Sequence, residues 1–384
     1  MRLLLVTQDF PPAFGGIQTY SKALADQFVQ NTEKFGVVAP YERGCRESDA
    51  GLPYPVHRVM LPRNVMRWAM APYLNSVCQR HGYRVALLAQ WYSGAAAGVL
   101  RRRGVLDRVY VAAHGQELLR VPAQGTWLGN AYERHRREVL ASMDGFFPVS
   151  KYTGSLLEEL GVVKNRIHVV KNGTDVERFR LDAEAKEQLG VWRTARGLGQ
   201  GPLLLTAARL VRRKGIDLVL RALPKVAQVM PGVRYAVVGT GPEEATLRRL
   251  VLDLGINDRV VFLGKLPEKE VVFAYNACDV FVMPARFEHP SVEGFGLVFR
   301  EANACGKPVI GTATGGIADA IDDGHTGLLV EPDNVDACAA ALLRLLGDAK
   351  YAARLGQQGR ALVESSGTWR HAAESMLQMM GGAA

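Results

Sequence analysis

The sequence predicts an α/β protein of two doubly wound domains, and three observations lead there. Short apolar runs alternate with amphipathic stretches along all 384 residues. The runs are rich in β-branched residues and leucine and are apolar throughout, as strands buried on both faces of a parallel sheet must be. The β-α-β-α succession also occurs twice, with a polar, Gly/Arg-rich break between the two rounds.

In the first round the strand-like runs are 2–7, 35–39, 86–90, 109–113, 146–150 and 167–170. In the second they are 203–207, 235–239, 260–264, 280–284, 308–311 and 327–330. Helical periodicity fills the gaps at 20–30, 155–160, 216–230, 242–254 and 335–346. The join falls near 174–200, where the charged stretch 175–187 leads into the Gly/Arg-rich stretch 193–202. The expected domains are therefore 1–180 and 181–365, with a helical tail at 366–384 crossing back to the first domain. A length of 384 fits two or three domains of about 150 residues each.

A hydrophobic content of 48% with 22% charged residues is that of an ordinary globular chain with ample core. No apolar run reaches the roughly 18 residues that span a bilayer. The start, Met1-Arg-Leu-Leu-Leu-Val-Thr-Gln8, lacks a small-residue cleavage site and turns polar at once, so it reads as a first buried strand. The five cysteines (Cys45, Cys78, Cys278, Cys305, Cys338) are scattered, without a C-x-x-C pair. They point to a reducing cytoplasm, with no disulfide and no metal site expected. Net charge is +9, and all of it lies in residues 1–180, which hold 24 Lys/Arg against 15 Asp/Glu; residues 181–384 hold 23 of each. A basic first half predicts an anionic partner for that half. Solvated helix faces account equally well for single clusters such as Arg101-Arg-Arg103.

The most informative stretch is Glu293-Gly-Phe-Gly-Leu-Val-Phe-Arg-Glu301. Two carboxylates flank a glycine turn that opens a helix. The first is expected before that helix and the second two turns inside it, roughly 12 Å further along. Carboxylates accept from hydroxyls, and free N–H groups at a helix N-terminus receive hydroxyl or phosphate oxygens, so a long polyhydroxy ligand fits. Gly15 and Gly16 precede the first helix, where a glycine pair lets backbone approach phosphate; a plain tight turn uses the same residues. This is not a G-x-G-x-x-G dinucleotide motif. Arg209 and Lys214 follow the 203–207 strand and suit a diphosphate, the one as a planar fork and the other as a point charge. Arg212 and Arg213 read as solvated. His114 stands at a strand end, followed by glycine, where the strand holds it rigidly. Gly239-Thr-Gly-Pro-Glu243 and Lys171-Asn-Gly-Thr-Asp175 are turns at strand ends.

Taken together, Pro11-Pro-Ala-Phe-Gly-Gly16, His114-Gly-Gln-Glu117, Asn172-Gly-Thr-Asp175, Arg209…Lys214-Gly215, Val238-Gly-Thr-Gly-Pro-Glu243 and Glu293-x7-Glu301 resemble one family. It is that of the retaining, nucleotide-sugar-dependent glycosyltransferases of the GT-B fold, which includes phosphatidylinositol mannosyltransferases and sucrose-phosphate synthases. The resemblance covers essentially the whole chain, and the six motifs stand in the family's order. It implies two Rossmann-like domains facing an inter-domain cleft. It also implies that Gly15, Gly16, Arg209 and Lys214 hold a donor diphosphate and that Glu301 accepts from the ribose. Glu293 with the N–H groups of Phe295, Gly296 and Leu297 would bind the donor sugar, as would His114, and the nucleobase would lie near Gly239 and Leu263. His114, Arg209, Lys214 and Glu293 are the candidate catalytic groups, and Asp9, Gln18 and Asn172 the candidate acceptor contacts. Two departures stand out. The usual Gly-Gly-x-Pro-Glu appears as Gly315-Gly-Ile-Ala-Asp319, and Arg300 precedes Glu301 where an apolar residue is commoner.

The expected reaction moves a hexose, mannose favoured, from a nucleotide diphosphate sugar to an anionic, lipid-linked acceptor hydroxyl. GDP-mannose is the favoured donor, with a UDP-sugar and a soluble acceptor as the alternative; no cofactor is required. A nucleotide-sugar 2-epimerase on the same architecture is the other enzyme reading. Nothing in the sequence places two carboxylates about 5 Å apart, as a retaining hydrolase needs, so front-side attack is the mechanism considered. Basic residues without interleaved aromatics argue against nucleic acid as a partner. Peripheral attachment to an anionic membrane surface, at the inner face of the cell membrane, is expected, with 60–70 either an interfacial segment or an ordinary core-packing loop and helix.

Overall fold

A computed structural model describes residues 1–13, 15–61, 65–66 and 69–381. The chain divides into two compact units, Met1–Asn172 with Trp369–Ala384, and Gly173–Thr368. The first division thus falls before the expected 180/181. Thr174 bridges Thr368, and the Phe179 ring packs edge-on against Tyr275, so the charged stretch after Asn172 belongs to the second unit.

The first unit carries a parallel sheet of β1 (Arg2–Val6), β2 (Lys34–Pro40), β3 (Val56–Val59), β4 (Val85–Leu88), β5 (Arg108–Ala113) and β6 (Gly145–Pro148). Their spatial order is β3-β2-β1-β4-β5-β6. Around it run α1 (Gly16–Asn31), α2 (Ala71–His81), α3 (Gly94–Arg102), α4 (Trp127–Ala141) and α5 (Lys151–Glu159). The second unit repeats the design with β7 (Leu203–Ala207), β8 (Arg234–Val238), β9 (Val260–Gly264), β10 (Val280–Val282), β11 (Val309–Thr312) and β12 (Gly327–Val330). The order there is β12-β11-β10-β7-β8-β9, the same winding as in the first unit. Its helices are α6 (Ala183–Ala195), α7 (Ile216–Val229), α8 (Glu244–Asp253), α9 (Glu268–Ala277), α10 (Leu297–Ala304), α11 (Val335–Gly347) and α12 (Ala349–Ser366). The central strands β1, β4, β7 and β10 are buried almost along their length, which is why their residues are apolar on both faces.

Two strand expectations need correction. Residues 167–170 form no strand: Ile167 makes one isolated bridge to Phe146, and two further N–H groups reach β6 without extending a ladder. The edge strand β3, Val-His-Arg-Val, escaped notice because it alternates and is only half buried. It matters locally. Arg58 on β3 donates to Asp49 and, at 2.5 Å, to the carbonyl of Pro11, and its guanidinium lies 5.5 Å from the Phe10 ring. The loop carrying Asp9 is thereby held. Within the expected interfacial segment 60–70, residues 62–64 and 67–68 lie outside the described residues, as does residue 14 of the Pro-Pro-Ala-Phe-Gly-Gly motif.

The last helix, α13 (Trp369–Gly381), packs on α1 in the first unit. Trp369 meets the Tyr20 ring at 5.8 Å, and Arg108 donates to the carbonyl of Met380. Trp369→Ala should destabilise the first unit by about 3 kcal/mol through the cavity it opens, read as a lower midpoint in denaturant unfolding.

Candidate active site

An open α/β sheet places ligands at the carboxyl ends of its strands, where the winding reverses. In the second unit that point lies between β7 and β10. After β7 the chain makes a 3-10 turn, Arg212–Lys214, and enters α7 through Gly215 at φ 69°. A Cβ on Gly215 would stand 2.0 Å from the carbonyl oxygen of Pro284, so only glycine lets this turn lie against the exit of β10. The close approach brings Lys214 Nζ to 2.5 Å and Arg213 Nη1 to 2.7 Å from Glu293 Oε2. Arg286 braces the turn from the β10 side. Its backbone N–H donates to the Arg213 carbonyl at 2.8 Å, and its guanidinium donates to Asp217 at 2.9 Å.

Burial alone would raise the pKa of Glu293, whose side chain is 15% exposed. Lys214 and Arg213 more than reverse this and hold the carboxyl at about 2. Burial likewise lowers the pKa of Lys214, and Glu293 opposes the shift. Three residues on from Glu293, Gly296 at φ 88° caps α10, where a Cβ would stand 2.6 Å from the Phe299 ring. Phe295, Gly296 and Leu297 thus stand at a helix entrance whose N–H groups have no intrahelical acceptor. Because α10 starts at Leu297, Glu301 lies one turn inside it, about 6 Å along, and not two. Its carboxylate accepts from the Tyr275 hydroxyl at 2.6 Å. Burial raises its pKa, with Tyr275 and Arg178 opposing.

Gly239 and Leu263 stand at the ends of β8 and β9. The Gly239 N–H donates to the Gly264 carbonyl, and a register shift leaves Leu263 out of the ladder. Arg209 is exposed just past β7, and its guanidinium has no ion pair among the described residues. Among the described residues, no group of three His, Cys, Asp or Glu is placed to hold a metal.

In the first unit His114 follows β5. Its Nε2 donates to the Ala89 carbonyl at 2.9 Å, which leaves Nδ1 as the acceptor of the neutral ring. Burial keeps its pKa low, against Glu117, Ala89 and Asp9. Its ring meets Tyr20 edge-on at 4.6 Å, and its backbone N–H donates to Glu117 at 2.6 Å. Gly15 caps α1; Gly16 opens the helix with no heavy atom within 4 Å of where a Cβ would be, so backbone is bare there. Gln18 donates to Asp9 at 2.9 Å. Asn172 is buried at the end of the unit, with its Oδ1 unpartnered.

The helix entrances differ in how they are capped, and α2, α3, α8 and α9 have no side-chain cap bond. Thr126, Ser150, Asp182, Asn334 and Asp348 cap α4, α5, α6, α11 and α12 with side-chain oxygens. The helices α1, α7 and α10 have glycine caps with no side-chain bond, so their first-turn donors stay open to a ligand. Sequence reasoning missed Arg213, Tyr275, Arg286 and Tyr20. Arg213 read as solvated, yet it is ion-paired; its neighbour Arg212 is indeed exposed.

The model of the family described as glycosyl transferases group 1 matches residues 192–362, and that of the glycosyl transferase 4-like domain matches residues 15–173. A GDP-mannose-dependent alpha-(1-6)-phosphatidylinositol monomannoside mannosyltransferase of Mycolicibacterium smegmatis is 33% identical, over 99% of this chain and 98% of its own. The chain belongs to the group 1 glycosyltransferases. A GDP-mannose-dependent monoacylated alpha-(1-6)-phosphatidylinositol monomannoside mannosyltransferase of Corynebacterium glutamicum is 31% identical, over 99% and 97%. Among solved structures, Anabaena Alr3699/HepE in complex with UDP matches 100% of both chains with a TM-score of 0.82 at 19% identity, which shows the GT-B fold.

For this glycosyltransferase the two carboxylates separate with pH. Glu293 has a depressed pKa, so its stabilising contribution is complete above about 4.5 and is lost only as pH falls through about 2. Glu301 has a raised pKa and protonates first. With the ribose role that the sequence resemblance implies for Glu301, the acid limb of nucleoside diphosphate binding is expected to belong to Glu301. Tyr275→Phe, which removes a bond that lowers its pKa, should move that limb to higher pH in calorimetric titrations; an unmoved limb contradicts the assignment.

Proposed function

We propose that this glycosyltransferase moves mannose from GDP-mannose to a hydroxyl of an anionic phosphatidylinositol mannoside. The observation that carries the proposal is end-to-end identity of 33% with a relative whose name states that donor and acceptor class. The site chemistry suits it. Cleaving the bond between sugar and diphosphate builds negative charge on the leaving group. Arg209, Lys214 and the open amides at Gly15 and Gly16 are assigned to that charge, because preorganised donors usually contribute most to catalysis of this kind. Glu293, held ionised by two cations, is assigned to the sugar hydroxyls together with the amides of Phe295, Gly296 and Leu297. Glu301 is assigned to the ribose, and Gly239 with Leu263 to the base. His114 offers Nδ1 to a sugar hydroxyl. Asp9, Gln18 and Asn172 are assigned to the acceptor.

In this proposal the acceptor hydroxyl attacks from the face the diphosphate leaves, and the diphosphate oxygen takes its proton. The new glycosidic bond forms as the old one breaks, with retention at the anomeric carbon. The described residues contain no helix long and apolar enough to cross a membrane. The surplus of nine cations in residues 1–180 supports peripheral attachment to anionic lipid.

The test is transfer from GDP-mannose to phosphatidylinositol monomannoside in vesicles, with UDP-glucose in a parallel reaction. A product one hexose heavier, formed from GDP-mannose alone, is expected. Recovery of an isomerised nucleotide sugar without acceptor would favour an epimerase instead. Lys214→Ala should lower kcat by about 10²–10³, as loss of one preorganised donor does. Near-normal turnover in that variant contradicts the mechanism.

A further inference from the structure

Four cations are buried among the described residues: Arg136, Lys214, Arg286 and Arg300. Arg136 pairs with Glu133, Lys214 with Glu293, and Arg286 with Asp217. Arg300 is 5% exposed and has no carboxylate within ion-pair distance among the described residues. Its Nη1 has no hydrogen-bond partner at all, and Nη2 donates a long bond, 3.4 Å, to the backbone carbonyl of Asp319. Asp319 and Asp322 supply only longer-range attraction. An unpaired buried charge is costly, and an apolar residue of similar volume is often neutral or stabilising in its place. Packing alone therefore does not account for an arginine here.

The position does. Arg300 sits one residue before Glu301 on α10, and its guanidinium lies 5.8 Å from the ring of Phe295, in the turn that leads from Glu293 into the helix. On its other side it holds the carbonyl of Asp319, in the short helical turn Ile317–Ala320. That segment touches Glu293 directly, because the Gly316 N–H donates to the Glu293 carbonyl at 2.8 Å. One guanidinium thus spans the two backbone segments that flank Glu293. Both departures noted in the sequence, Arg300 and Gly315-Gly-Ile-Ala-Asp319, meet at this one contact.

We propose that Arg300 is a positioning residue that sets the spacing between the 293–296 turn and the 315–320 segment, and so decides which hexose the donor pocket accepts. The proposal rests on the reading of that turn as the donor-sugar site. It acts through Phe295 and the Gly316–Glu293 bond, without touching the sugar. The nucleoside diphosphate is assigned to other side chains, Lys214, Arg209 and Glu301.

The test compares wild type, Arg300→Met and Arg300→Lys. Calorimetry measures GDP and GDP-mannose binding, kinetics compare GDP-mannose with its 2-epimer GDP-glucose, and thermal unfolding gives Tm. For Arg300→Met, Tm should hold or rise and GDP affinity should stay within about twofold, while KM for GDP-mannose rises about tenfold and the preference for mannose falls, the usual scale for a small misplacement of a supporting group. Arg300→Lys, which keeps the charge, should recover part of the preference lost in Arg300→Met. Equal losses of GDP and GDP-mannose affinity, or a mannose-to-glucose ratio in Arg300→Met unchanged from wild type, overturn the proposal and leave a structural cation. Failure of the wild type to bind or use either nucleotide sugar instead overturns the donor-site reading itself.

Discussion

At the reversal point of the second sheet, a carboxylate from the β10 side meets an ammonium and a guanidinium from the β7 side. Much of the local architecture follows from keeping Glu293, Lys214 and Arg213 in contact. Gly215 lets the 212–214 turn nest under Pro284, Gly296 turns the chain into α10, and Arg286 pins the turn from behind. Buried charges tolerate this only as a group, because removing one member leaves the others desolvated and unpaired. The same cluster gives Glu293 its permanent charge and gives Lys214 a fixed position. A polar ligand needs both, and a freely rotating surface lysine offers neither.

The helix entrances extend this logic. At α4, α5, α6, α11 and α12 a serine, threonine, aspartate or asparagine closes the helix end with its own oxygen. At α1, α7 and α10 a glycine stands there, and the first-turn amides face whatever binds. A glycine cap in place of a side-chain cap forgoes only about 0.3 kcal/mol of helix stability at each end. It leaves oriented partial positive charge at the carboxyl edges of both sheets, where ligands of open α/β sheets bind.

Much of this was legible in the sequence, and the reasons are specific. Fully buried strands such as β1, β7 and β10 show themselves as unbroken apolar runs, and Glu293-x7-Glu301 marks its helix start through Gly296. What stayed hidden was whatever depended on a partner far along the chain. β3 is an alternating edge strand, recognisable only from its neighbour β2. The 167–170 run is apolar because it lies along β6, though it never joins the sheet. Arg213 looks like any surface arginine until the β10 loop brings Glu293 to it across 80 residues of sequence. Tyr275 is one aromatic on a helix until its hydroxyl is found on Glu301. Capping was only partly legible: glycine precedes α1, α7 and α10, but Ser93 precedes α3 without capping it.

The most direct measurement is a crystal structure of the enzyme with a bound nucleoside diphosphate. The account predicts a phosphate oxygen within hydrogen-bond reach of Lys214 Nζ and a ribose hydroxyl on the Glu301 carboxylate. Phosphates seated away from Lys214, or a ribose far from Glu301, would contradict it.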